Sequence, residues 1–128
     1  MILVDTSVWI AHLRDPEPRL GGLLERGQAL VHPFVIGELA CGNLRNRGTL
    51  LGYLDRLSAA PLAESAEVRG VVERYRLMGQ GLGWVDVHLL TSCLLAHSGI
   101  WTQDAGLERA ARQLRIPGLS HTIDPRIV

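Results

Sequence analysis

The chain has 128 residues, 47% of them hydrophobic and 20% charged, with 13 basic residues balancing 13 acidic ones. That is one globular domain's worth of chain, residues 1–128 forming a single unit, and its zero net charge argues against a nonspecific nucleic-acid coat while permitting a local basic rim around an acidic pocket. No apolar run is long enough to span a membrane, and every basic residue is arginine, so the lysine that a phosphate-binding P-loop requires is missing.

Ile2, Leu3 and Val4 form an unbroken apolar run, the pattern of a strand buried on both faces. It ends in Asp5, Thr6 and Ser7, after which Val8, Trp9 and Ile10 begin a helix. The N-terminus lacks a charged n-region and a cleavage site, so a cytoplasmic location is expected. Asp15-Pro16-Glu17-Pro18 breaks the helix and starts a second one carrying Leu20, Leu23 and Leu24, which stops at Gly27. Ala29 to Val31 reads as a short strand, followed by a helix from Pro33 to about Gly42 with Phe34, Val35, Cys41 and Gly42 on one side. Glu38 falls in the middle of that side, where a carboxylate is rare unless paired or bound to a metal.

Gly48 to Leu57 is expected to be helical, and Ala59 to Ala63 a short edge strand around Pro61. Ser65 to about Met78 is a charged amphipathic helix, and Gly79 to Gly83 a glycine-rich joint. Trp84 to His97 is the most apolar helix, with Asp86 in its first turn on the face of Leu90, Cys93 and Leu94. Ile100-Trp101-Thr102 gives another buried strand ending in Gln103 and Asp104; a helix through Leu107 and Leu114 follows, and Leu119 to Ile123 is a plausible last strand. Cys41 and Cys93 are too few for a disulfide framework or a zinc site and are expected as buried thiols, and Trp9 and Trp84 are expected to be buried as well. Strand–helix alternation implies an α/β domain with a mostly parallel sheet.

Asp5 and Asp104 each follow an apolar strand and so fall on one sheet edge, while Glu38 and Asp86 lie on apolar helix faces near those strands. Each acid alone has an ordinary explanation as a helix cap or a solvated side chain. Together they point to a shared cation, because carboxylates some 5 Å apart repel by roughly 3 kcal/mol per pair at an effective dielectric near 20. An all-oxygen ligand set favours Mg2+, with Mn2+ as the alternative, over zinc.

Over essentially its whole length the chain resembles a PIN domain, and among these the VapC-type toxin ribonucleases of toxin–antitoxin pairs. The resemblance rests on Val4-Asp5-Thr6-Ser7, Glu38, Asp86 opening a long apolar helix, and Trp101-Thr102-Gln103-Asp104. It implies a three-layer α/β/α fold around a short-stranded, mostly parallel sheet. It further implies a catalytic metal set of Asp5, Glu38, Asp86 and Asp104, with Thr6, Ser7 and Thr102 in supporting hydroxyl positions. The implied partners are an RNA substrate, a cognate antitoxin and a second copy of the chain. Two other functions fit the same residues: a scaffold that keeps the fold without cleaving, and an RNA-processing nuclease without an antitoxin.

Overall fold

The structure is a computed structural model that describes residues 1–119. The chain runs β1 (Ile2–Val4), α1 (Thr6–Arg14), α2 (Pro18–Glu25), β2 (Ala29–Val31), α3 (Pro33–Ala40), α4 (Arg47–Asp55), β3 (Ser58–Ala59), α5 (Ser65–Tyr75), α6 (Trp84–Ala96), β4 (Gly99–Trp101) and α7 (Ala105–Gln113). The strands form one parallel sheet in the order β3-β2-β1-β4. Every residue of β1, β2 and β4 is buried, as their unbroken apolar sequences require when helices cover both faces. This is the α/β architecture expected from the sequence.

The strand order positions the site. From β1 the chain moves outward to β2 and β3, then crosses back to place β4 on the other side of β1. The connections leaving β1 and β4 therefore diverge at one sheet edge, and such a switch point opens a crevice at the carboxyl ends of the strands. Leu3 lies opposite Ile100 and Val4 opposite Trp101 in this pairing, and the Asp5 N–H continues it by donating to the Trp101 carbonyl at 2.9 Å. Asp5 and the residues after Trp101 thus emerge side by side.

Several boundaries differ from the sequence expectation. The edge strand is Ser58–Ala59 rather than 59–63, because Pro61 offers no N–H to a ladder; its Ala59 pairs with Val31. The amphipathic helix stops at Tyr75, where Arg76 turns into the left-handed region at φ 53°, and buried Leu77 follows outside it. Cys93 is buried as expected, but Cys41 is exposed because α3 ends one residue before it. Of the last expected strand, 119–123, the described residues include Leu119, whose N–H donates to the Ile100 carbonyl at 3.0 Å just after Gly118 bridges to Ile100; residues 120–123 lie outside those described.

Gly99 opens β4 under close constraint. A Cβ there would stand 2.8 Å from the Pro117 carbonyl oxygen and 2.9 Å from Ile2 Cδ1. The same Pro117 oxygen accepts the Ile100 N–H at 2.8 Å, so it cannot retreat without breaking a sheet bond. Gly99→Ala is expected to lower stability by about 1–3 kcal/mol, read as a reduced denaturation midpoint; an unchanged midpoint would show that the contact relaxes freely.

His32 caps α3 from a fully buried position, its Nδ1 accepting the Phe34 N–H at 2.9 Å. Burial, and secondarily neighbouring His88, push its imidazole down to about 4. A proton could enter only at Nδ1, the atom already used as the acceptor, and would break the cap. Its folded pKa lies below the unfolded value of about 6.5, so the unfolded chain takes up the proton first on acidification. The neutral residue's stabilisation is complete above about pH 6.5 and is lost as pH falls towards about 4, on the order of 2–3 kcal/mol. His32→Asn keeps a capping acceptor without the titration, and its chemical-denaturation stability is expected to fall less than the parent's across that interval.

Candidate active site

Asp5 is held from several directions. Its Oδ1 accepts the Thr6 N–H at 2.7 Å, which caps α1. Its Oδ2 accepts from Ser7 Oγ at 3.0 Å and from Thr102 Oγ1 at 2.7 Å. Both hydroxyls are also used on their other side: Ser7 Oγ accepts the Gln103 N–H at 3.0 Å and Thr102 Oγ1 accepts the Asp104 N–H at 3.0 Å. The short loops after β1 and β4 are thereby joined across the switch point, and Asp5 is left with one fixed orientation.

Asp104 and Asp86 begin helices of their own. Asp104 Oδ1 accepts the Leu107 N–H at 3.0 Å and caps α7, and its side chain is exposed. Asp86, in the first turn of α6, accepts the Gly83 N–H at 2.8 Å through Oδ2. Partial burial holds its carboxyl above the usual aspartate range, the Gly83 bond opposes this, and the charges of Asp104 and Asp5 raise it further. The action of those two charges on Asp86 places it in one electrostatic neighbourhood with Asp5 and Asp104.

Glu38 joins by a different route. It is exposed on α3, whose buried residues are Val35 and Leu39, so the expectation that it sits within the apolar face is wrong by part of a turn. Its Oε1 nevertheless accepts from Thr6 Oγ1 at 2.8 Å, tying it to the residue beside Asp5. Hydrogen bonds thus connect Asp5, Glu38 and Asp104 with Thr6, Ser7 and Thr102, and Asp86 joins them through charge alone. Glu38 is held there by the Thr6 hydroxyl rather than by burial in an apolar stripe.

His32 and His88 are both buried, and Phe34 packs edge-on against both rings, at 5.1 Å and 4.6 Å between centroids. Trp84, expected to be buried, is instead exposed at the first position of α6. Its place after a glycine-rich joint was the one available signal, since a side chain at N1 overhangs the helix end rather than its flank.

Ion pairs among the described residues join Arg19 to Glu17 and Arg112 to Glu108, and neither includes one of the four acids. Their negative charge is therefore not offset by a neighbouring guanidinium in those pairs. No three of the described histidine, cysteine, aspartate and glutamate side chains are drawn into a ready-made metal-binding group. The loose, oxygen-only set is compatible with Mg2+, which keeps several waters and takes only one or two carboxylates directly. It does not suit structural zinc, which needs a closed tetrahedral shell.

Residues 2–113 match the family described as PIN domain. Ribonuclease VapC32 of Mycobacterium tuberculosis is 46% identical over 114 residues, covering 88% of this chain and 92% of that protein. A structure of FitAB bound to a DNA fragment superposes with a TM-score of 0.63 at 17% identity, covering 96% of this chain and 100% of that one. The crystal structure of FitAcB from Neisseria gonorrhoeae gives a TM-score of 0.62 at 17% identity over 100% of both chains. The fold agrees with these structures, and the family match and the close relative both span most of the sequence: the chain belongs to the PIN domain family.

Proposed function

We propose that this protein is a Mg2+-dependent endoribonuclease, with Mn2+ able to substitute, acting as the toxin of a toxin–antitoxin pair. The observation that carries the reading is the set Asp5, Asp86 and Asp104 at the β1–β4 switch point, where the charges of Asp104 and Asp5 act on Asp86 and the three acids lie outside the ion pairs Arg19–Glu17 and Arg112–Glu108. The relative at 46% identity is named a ribonuclease, which supports RNA as the phosphodiester. The proposed protein partners are a cognate antitoxin that blocks the acidic crevice and a second copy of the chain. The partly covered apolar residues Leu50 of α4 and Val71 and Val72 of α5 offer surface for that second copy.

Asp5, Asp86 and Asp104 would hold the cation, with Glu38 contributing from the Thr6 side. Bound there, a divalent ion lowers the pKa of a water and stabilises charge on the phosphate. The chain's own residues prepare the place. Ser7 and Thr102 keep the Asp5 carboxylate from rotating, so its orientation is settled before substrate arrives. Exposed Asp104 and Glu38 are the acids open to accept a proton from the attacking water. The N-termini of α1, α6 and α7 converge on the acids, and their positive dipole ends moderate the cost of gathering carboxylates and phosphate together.

With purified protein and unstructured RNA, EDTA is expected to abolish cleavage and added Mg2+ to restore it. Asp5→Asn should reduce cleavage to background while the circular dichroism spectrum is retained. Undiminished cleavage by Asp5→Asn, after contaminating nucleases are removed, would falsify the assignment.

Thr102 gives a finer test. Thr102→Val keeps the shape and removes one hydrogen bond to a charged group, an interaction of about 1.5–3 kcal/mol. Its kcat is expected to fall by at least ~10-fold, while Thr102→Ser keeps the hydroxyl and stays near the parent. Equal losses in both variants would mean that the hydroxyl does not position Asp5.

A further inference from the structure

Trp84 is the one tryptophan the fold leaves open: it is 46% exposed, whereas Trp9 and Trp101 are 2% and 3% exposed. A single exposed aromatic is ordinary on a protein surface. This one is distinguished by its place and by its backing. It stands two residues before Asp86, at the helix end that the Asp86 carboxylate ties to Gly83. The joint that leads to it turns through Gly79 and Gly81 at φ 73° and 76°, a backbone conformation that favours glycine. A Cβ at either glycine would meet nothing within 4 Å, so it is the backbone angle and not crowding that favours glycine there.

The ring is not free to wander. It meets His88 at 5.0 Å between centroids and 86° between planes, and His88 meets Phe34 at 4.6 Å and 63°. Phe34 in turn contacts His32, the buried cap of α3. A file of edge-on rings thus runs from the α3 N-terminus, one turn before Glu38, to the exposed indole in the same first turn of α6 as Asp86. Edge-on packing engages at most one face of the indole, and a flat apolar surface held in advance loses little entropy when a ligand covers it.

We propose that Trp84 is a specificity-determining residue of the RNA site, on whose open face an unpaired base near the cleaved phosphodiester stacks. The inference rests on the ribonuclease reading given above. It assigns the substrate as single-stranded at that point, since only an unstacked base presents a face to an aromatic side chain. The cation held by the acids would take the phosphate and Trp84 takes the base, so chemistry falls to the acids and base binding to the first turn of α6.

The test uses Trp84→Ala and Trp84→Phe with an RNA oligonucleotide that the parent protein cleaves, and versions of it lacking one base at a time. Trp84→Ala is expected to raise KM by ~10-fold or more with kcat within about 2-fold, and Trp84→Phe to recover most of the loss. Removing one base near the scissile bond should weaken the parent equally and cost Trp84→Ala nothing further. In the Asp5→Asn protein, RNA should quench tryptophan emission, and the additional change Trp84→Phe should remove that quenching.

An unchanged KM in a Trp84→Ala protein that still cleaves overturns the proposal and leaves the ribonuclease reading standing. Sensitivity spread evenly over all base positions also overturns it, because Trp84 would then act on the fold. A blue shift of Trp84 emission with rising protein concentration alone overturns it in favour of a second copy covering the ring. If the folded parent cleaves no RNA with Mg2+ or Mn2+, both readings fail together.

Discussion

The hydrogen bond from Thr102 Oγ1 to Asp5 Oδ2 spans 97 positions of sequence, and the bond from Gln103 N to Ser7 Oγ spans 96. Each bond joins the loop after β1 to the loop after β4, and each depends on the register that sets Val4 opposite Trp101. A shift of one residue would break the pairing of Val4 with Trp101 and carry Asp5 out of reach of Thr102. The buried sheet and the acidic crevice are therefore aspects of one constraint. Packing of Leu3, Val4 and Ile100, each nearly inaccessible, fixes a register whose visible product at the surface is an oriented carboxylate.

The aspartates perform structural and electrostatic work with the same atoms. Asp5 and Asp104 cap α1 and α7, and Asp86 accepts the N–H of the residue preceding α6. Capping satisfies donors that a helix start would otherwise leave open, and the helix ends contribute partial positive charge in return. This exchange lets acids share a small region before any cation is considered. The balance is incomplete at Asp86, whose carboxyl burial and the charges of Asp104 and Asp5 still hold above its ordinary range.

Much of this was legible in the sequence because it follows from position. An apolar run that ends in Asp5, another that ends near Asp104, and a long apolar helix opening on Asp86 suffice to put acids on one sheet edge. Glu38 shows the limit of periodicity: one part of a turn separates a buried stripe from an exposed flank, and sequence spacing does not resolve it. Cys41 and Trp84 illustrate the same limit at helix ends, where side chains leave the regular cylinder and burial no longer follows the 3.6-residue repeat. The ring file through His32, Phe34, His88 and Trp84 was illegible for a different reason. Its contacts join residues of two helices, and composition carries no sign of which rings will meet.

The separation in sequence of the two joined loops has a consequence for the time before the protein is complete. During synthesis β1 emerges first, and its partner β4 follows only after the 94 intervening residues from Asp5 to Ser98. Until then Asp5 lacks Thr102, α7 does not exist, and the crevice has only one wall. The site therefore comes into being late, through the closing of a sheet rather than through the making of any single residue.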